Sequence, residues 1–262
     1  MNASDRLDAG LRRRRESGEP WLVPYLTVAD PSPEWTVEIA LAALSAGADA
    51  IELGIPTGGA SPKGSEVRRS FDRALAQVPT LTAVWQVCRR LRAAAPDVPI
   101  LGLAFTRSIE EIGWSQFLIE LRAAGIDGLV ISDLSEPKLL DLVADHGVSP
   151  VPLIRQGAAP ALACQLEAKA RHLAYRTLAP QTGTPLNLAA CTAAARAMRA
   201  AANKPYLLGF GLRDPIELRA LAPYADGFVV GSELLRRLQQ VPEGRYRAAV
   251  SGWIGEWKSA CR

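Results

Sequence analysis

Short apolar runs alternate with longer stretches of helical periodicity along the whole chain. The first run is Trp21–Thr27. Glu34–Ala46 follows, with apolar residues at Val37, Ala40, Leu41 and Leu44, and Gly47 ends it as a helix C-terminus prefers. Strand-like runs recur at Ala50–Gly54, Pro99–Phe105, Asp127–Ser132, Pro150–Ile154, His172–Leu178, Tyr206–Gly209 and Gly227–Val230. A long loop and one helix separate the second run from the third. Further helices are predicted over Trp114–Ala124, Pro137–His146, Ala161–Ala170, Leu188–Ala201 and Pro215–Leu221. Strands separated by helices pair in parallel through right-handed crossovers. Eight repeats in 262 residues point to one closed (β/α)8 TIM barrel spanning 1–262, with a short N-terminal helix starting near Ser4. An open doubly wound sheet is the competing arrangement. No linker or low-complexity tract marks a second domain.

Composition narrows the class. Hydrophobic residues make up 48% and charged residues 22%, near globular averages, so wholesale disorder is not expected. No apolar run reaches the ~20 residues that cross a bilayer, and Met1–Pro20 lacks a signal-peptide core. A cytoplasmic protein, with neither a membrane nor a nucleic acid as partner, is the expectation. The net charge of +3 is too small to argue for nucleic acid. Arg12–Arg15 reads as the solvated face of the first helix, with a nucleic-acid or localisation patch as the alternative. Cys88, Cys164, Cys191 and Cys261 are widely spaced, and only His146 and His172 supply imidazoles, so no metal site is expected. Inert free thiols fit a reducing compartment.

In such barrels chemistry sits where strands end and loops begin. The loop after strand seven, Gly209–Asp214, and that after strand eight, Gly231-Ser-Glu233, carry glycines that admit a ligand to the backbone. These loops are the usual phosphate site of the fold, so Gly211, Gly231 and Ser232 are expected to bind phosphate, with Thr182 and Gly183 completing the site. The alternative is that the glycines serve tight turns. Glu233 would repel a phosphate if it faced inward, so it is expected to face solvent. Alternation turns Glu52 opposite to Ile51 and Leu53, into the barrel. A buried carboxylate is costly unless used or paired, and burial raises its pKa toward the range useful for proton transfer. Glu52 is thus the candidate acid/base, a structural glutamate being the alternative. Asp133 ends strand four as a second candidate or as the N-cap of the next helix. Asp30 reads as a turn or cap residue. Lys63 is the only ionisable group of the glycine-rich loop Pro56–Ser65, and simple solvation competes with a role at the site.

These residues resemble the tryptophan synthase α subunit family. Leu22-Val-Pro-Tyr-Leu-Thr-Val-Ala-Asp-Pro31 is similar to its opening strand and turn, and Ala46-Gly-Ala-Asp-Ala-Ile-Glu-Leu-Gly-Ile-Pro56 to its second strand, with Glu52 at the catalytic glutamate. Gly209-Phe-Gly211 and Gly231-Ser232 resemble its phosphate loops, and Thr182-Gly183 the end of its loop after strand six. The resemblance spans roughly Trp21–Leu235. It implies retro-aldol cleavage of indole-3-glycerol phosphate to indole and glyceraldehyde 3-phosphate, without metal or organic cofactor, and a β subunit that takes the indole. In the family an aspartate in the loop after strand two polarises the indole nitrogen. Here its ungapped counterpart is Lys63. The family's strand-six tyrosine falls on Ala174, which leaves Tyr175 one residue away and pointing to the other face unless a bulge re-aims it. Leu178-Ala-Pro-Gln181 replaces an arginine-containing loop, and Phe105 and Arg107 replace a tyrosine and an asparagine. The loops that would dock a β subunit are altered. The resemblance therefore implies a repurposed carbon–carbon lyase acting on a phosphorylated substrate. An ordinary indole-releasing α subunit and a non-catalytic phosphate-ligand-binding homologue are the alternatives.

Overall fold

A computed structural model describes residues 3–60, 62–179 and 186–262. Eight parallel strands follow the order of the chain: β1 Trp21–Thr27, β2 Ile51–Gly54, β3 Ile100–Ala104, β4 Gly128–Ile131, β5 in two pieces, β6 Ala174–Thr177, β7 Tyr206–Gly209 and β8 Gly227–Val230. The pieces of β5 are Ser149–Pro150 and Leu153–Ile154. Pro150 and Pro152 have no N–H, so the ladder is interrupted between them. Closure is nonetheless complete: β8 pairs with β1, the first piece of β5 with β4 and the second with β6. Between the pieces, Val151 N–H donates to Leu129 O at 3.0 Å and Pro152 O accepts from Tyr175 N–H at 2.9 Å.

All eight sequence-predicted strands are present. The described helices are α1 Ala3–Ser17, α2 Pro33–Ser45, α3 Ser65–Gln77, α4 Leu81–Ala94, α5 Thr106–Ile112, α6 Trp114–Ala123, α7 Leu139–Asp145, α8 Pro160–Ala168, α9 Leu188–Ala201, α10 Pro215–Leu221, α11 Ser232–Leu238 and α12 Tyr246–Ala260. Two helices, α3 and α4, fill the β2–β3 connection in place of the single helix expected. The seven-residue α5 and the C-terminal α12 were not foreseen; α12 packs on α2, with Trp35 edge-on to Tyr246 at 5.1 Å.

Strand alternation divides the core into two layers. Leu22, Leu26, Ile51, Leu53, Leu129, Leu208 and Phe228 face the helices. Trp21, Val23, Tyr25, Leu101, Leu103, Val130, Tyr175, Leu207 and Val229 fill the barrel. Leu7 and Leu11 of α1 join the inner layer, so α1 plugs the N-terminal end. Gly10 allows this close approach, since a Cβ there would lie 2.6 Å from the Trp21 indole. Of the arginine run, Arg12, Arg13 and Arg15 are exposed. Arg14 is held by Asp226 at 3.1 Å and by Ala225 O at 3.4 Å. Cys88, Cys191 and Cys261 are buried free thiols, while Cys164 is exposed. No described helix is long and apolar enough to cross a membrane.

Candidate active site

The C-terminal mouth of the barrel opens into a cavity of about 240 Å³. Its walls come from strand ends and the loops beyond them: Tyr25, Glu52, Lys63, Asp133, Tyr175, Gly211, Gly231 and Ser232 all line it. The structure thus gathers Glu52, Lys63, Asp133, Tyr175 and three of the predicted phosphate-loop residues in one place. Thr182 and Gly183 lie outside the described residues.

Glu52 points into the barrel, as its alternation with Ile51 and Leu53 requires. It is 1% exposed, and its Oε1 has no hydrogen-bond partner among the described residues. Burial pushes its carboxyl up to about 8, so the protonated form dominates at neutral pH. Tyr25 sits directly across on β1, its Cα in register with that of Glu52. Both Tyr25 and Tyr175 have raised pKa values, first through burial, and each is raised further by the Glu52 charge. Glycines make room for the two rings. A Cβ at Gly54 or at Gly209 would lie 2.1 Å from the hydroxyl of Tyr25 or Tyr175 respectively.

Tyr175 corrects the expectation that it points to the other face. Leu173 and Tyr175 face the barrel, and Ala174 faces the helices. Arg176 turns to Glu167 of α8 at 2.8 Å. An ungapped comparison carries any loop-length difference into the strand, whereas the strand's own alternation sets orientation. Glu233 is a second correction. It is 6% exposed rather than solvent-facing, and it accepts from Arg236 Nη2 and Arg237 Nε, both at 2.7 Å. Paired in this way, its carboxylate is held below the usual range in spite of burial, and it does not line the cavity.

Asp133 lines the cavity but does not cap the helix that follows it. Its Oδ1 accepts from Thr106 N–H at 2.7 Å and from Thr106 Oγ1 at 3.0 Å, so it caps α5 from the end of the neighbouring strand. Asp30 is buried and engaged by Arg73 through two bonds, at 2.7 and 2.8 Å. Arg107 pairs with Glu111 on the surface, while Phe105 lines the cavity. The loop after β2 lies against the mouth. Thr57 donates to Ser108 at 2.5 Å, and Pro62 O accepts twice from Arg68, at 3.1 and 3.0 Å. This lodges Lys63 at the cavity wall, with its side chain still exposed. Two cations were missed by sequence reasoning, Arg155 beyond β5 and Arg213 beyond β7. Their position just after strands was the available signal.

The loop after β7 is built to stay put. Asp214 caps α10 through Ile216 N–H at 2.8 Å, and Glu217 returns bonds to the N–H groups of Arg213 and Asp214, forming a capping box. Phe210 at φ 67° and Gly211 at φ 93° are both left-handed, and Phe210 is braced edge-on by Tyr175 at 5.9 Å. Valine at Gly211 conflicts with that backbone. If this loop holds phosphate as its sequence predicts, Gly211→Val weakens binding of a small phosphorylated probe such as glycerol 3-phosphate about tenfold or more, the equivalent of losing roughly 1.4 kcal/mol. Titration calorimetry checks this, and unchanged affinity would remove the loop from the site.

The family model for the tryptophan synthase alpha chain matches residues 11–252. The chain is 32% identical over 268 residues to the tryptophan synthase alpha chain of Cupriavidus taiwanensis, covering 99% of each. It is 31% identical over 260 residues to that of Laribacter hongkongensis, covering 95% of this chain and 97% of the relative. Among solved structures, the tryptophan synthase alpha chain of Legionella pneumophila superposes with a TM-score of 0.87 at 25% identity, over 100% of this chain and 97% of the other. The subunit arrangement described for the Pyrococcus furiosus protein is an α2β2 complex; that structure shares the fold, with a TM-score of 0.78 at 23% identity over 92% of this chain and 98% of the other. A family-model match over residues 11–252, with 32% identity to a relative along 99% of both chains, places the chain in the tryptophan synthase alpha chain family.

Proposed function

We propose that the chain is a tryptophan synthase α-type lyase that makes or breaks a carbon–carbon bond beside a phosphorylated three-carbon unit, with Glu52 as its proton carrier. The observation that carries this is Glu52 itself: buried, without a partner for Oε1 among the described residues, and raised to about 8 beside a cavity. A binding-only protein gains nothing from an unpaired interior carboxylate. In the cleavage direction the protonated Glu52 gives its proton to the ring carbon at the scissile bond. As that bond breaks, the hydroxyl of the departing three-carbon unit becomes a carbonyl and returns its proton to Glu52. Protons balance, and the carboxyl is reset. Gly211, Gly231 and Ser232 offer backbone N–H groups to the phosphate, and Arg213 lies beside them on the cavity wall.

Lys63 is what separates this chain from an ordinary α subunit. A charged ammonium donates hydrogen bonds but accepts none, so it opposes positive charge developing on an indole nitrogen. It suits a substrate with a carboxylate or other oxyanion at the ring end. Covalent chemistry through a Schiff base is the lesser version, because it needs a neutral lysine. The second reading, an ordinary indole-releasing α subunit working with a β-type partner in the cytoplasm, is favoured by the full-length similarity to curated alpha chains. Indole release from indole-3-glycerol phosphate separates the two. The wild type is expected to bind this compound and release indole slowly. Lys63→Asp is expected to speed release about thirtyfold, the equivalent of ~2 kcal/mol for a restored charged hydrogen bond. Rapid wild-type release that Lys63→Asp does not improve would leave the ordinary α subunit as the function.

A further inference from the structure

Tyr25 has no part in the chemistry above, although it lines the cavity beside Glu52. We propose that Tyr25 is the hydrogen-bond acceptor of this pocket: its phenolic oxygen receives an N–H from the ring end of the substrate, and Thr27 and Ser70 hold it in that role. The inference rests on the lyase reading of the same site.

The geometry dictates the direction of every proton. Val67 O is a carbonyl and can only accept, so the 2.7 Å contact from Ser70 Oγ uses the one hydrogen of Ser70. The 2.6 Å contact between Thr27 Oγ1 and Ser70 Oγ must then be donated by Thr27. The 3.1 Å contact between Tyr25 Oη and Thr27 Oγ1 must in turn be donated by Tyr25. No other assignment makes all three bonds. Tyr25 has spent its only hydrogen, so toward the cavity it offers lone pairs alone. The oxygen is desolvated, the residue being 3% exposed, and an acceptor there is costly until a ligand supplies a donor. Glu52 does not fill that role, since its Oε1 is unbonded and no hydrogen bond joins it to Tyr25 among the described residues.

The chain of hydroxyls ends on α3, the helix that begins two residues after Lys63. The acceptor thus lines the same cavity as Lys63, whose ammonium form cannot accept. Gly54 is part of the same arrangement, because any side chain there would displace the Tyr25 hydroxyl.

The test measures binding of two non-cleavable probes: indole-3-propanol phosphate and its benzothiophene counterpart, in which sulfur replaces the ring N–H. The wild type is expected to prefer the indole about tenfold, the usual size of a net hydrogen bond to a desolvated acceptor. Tyr25→Phe should abolish that preference by weakening indole binding alone, with affinity for the benzothiophene probe kept. Ser70→Ala releases the relay and lets Tyr25 rotate, so the preference should fall part of the way. In the Tyr25→Phe background, Ser70→Ala should have no further effect on it. A structural role for Tyr25 would instead change both probes equally. A preference that survives Tyr25→Phe, or a wild type that binds both probes equally, overturns the inference and leaves the lyase reading standing. Binding of neither probe by the wild type overturns the lyase reading and this inference with it.

Discussion

Glu52→Gln is expected to cut turnover by about 10²-fold or more, the usual contribution of a positioned acid/base. The amide keeps the shape and polarity of the side chain but carries no transferable proton. The expected pH dependence follows from the direction of the shift. Burial raises the carboxyl from 4.5 to about 8. The acid form required for the first proton transfer is therefore intact at neutral pH, and activity should fall as pH rises through about 8. A stability signature accompanies it. The unfolded chain ionises Glu52 near its ordinary value, while the native chain holds the proton up to about 8. The stability linked to this group is complete below pH 4.5 and is lost progressively as pH rises from there through 8. Glu52→Gln should flatten that decline. Urea melts of the two proteins from pH 5 to 9 measure the stability difference, and a rate profile on the best substrate measures the catalytic one. Full activity in Glu52→Gln would make the glutamate structural.

Asp127→Ala is expected to destabilise the barrel by ~3–5 kcal/mol, the usual cost of removing one partner from a buried ion pair. Asp127 is fully buried at the N-terminal end, remote from the cavity lining. Its Oδ1 accepts from Arg6 of α1 at 2.8 Å, and its Oδ2 from Arg92 of α4 at 2.8 Å. The Ile100 N–H, which opens β3, also donates to Oδ2 at 2.8 Å. Arg92 further binds the carbonyls of Gly125, Ala95, Pro96 and Val98. One carboxylate thus ties the N-terminal plug, a helix and a strand together. Without it, two guanidiniums remain desolvated with one fewer anion between them. Asp127→Asn keeps an acceptor oxygen and should cost less. Denaturant midpoints with unchanged m-values test this; a loss under ~1 kcal/mol for Asp127→Ala, the size of a surface pair, would mean that water reaches the pair and repays the loss.

Much of this architecture was legible in the chain because it is local. Two-residue alternation in Ala50–Gly54 suffices to turn Glu52 inward, whatever the rest of the barrel does. Glycines just beyond β7 and β8 single out Gly211 and Gly231, which line the cavity at the end where barrels of this kind carry their chemistry. The resemblance at Glu52 and in the glycine loops agrees with the full-length family match.

The remainder depended on distance in space. Tyr175 joined the site only once closure through the proline-broken β5 set the face that β6 presents. Asp133 found its partner at Thr106, 27 residues away, and Asp30 its partner at Arg73, 43 residues away. Glu233 was expected in solvent because a helix surface is normally wet, but Arg236 and Arg237 one turn on made burial affordable. Arg155 and Arg213 reached the mouth because two loops, far apart in the chain, end at the same rim. The sequence by itself determined which residues of a strand share a face, because backbone geometry imposes that alternation residue by residue. Only the tertiary structure decided which of them meet, because barrel closure and loop anchoring bring together groups that no local periodicity relates.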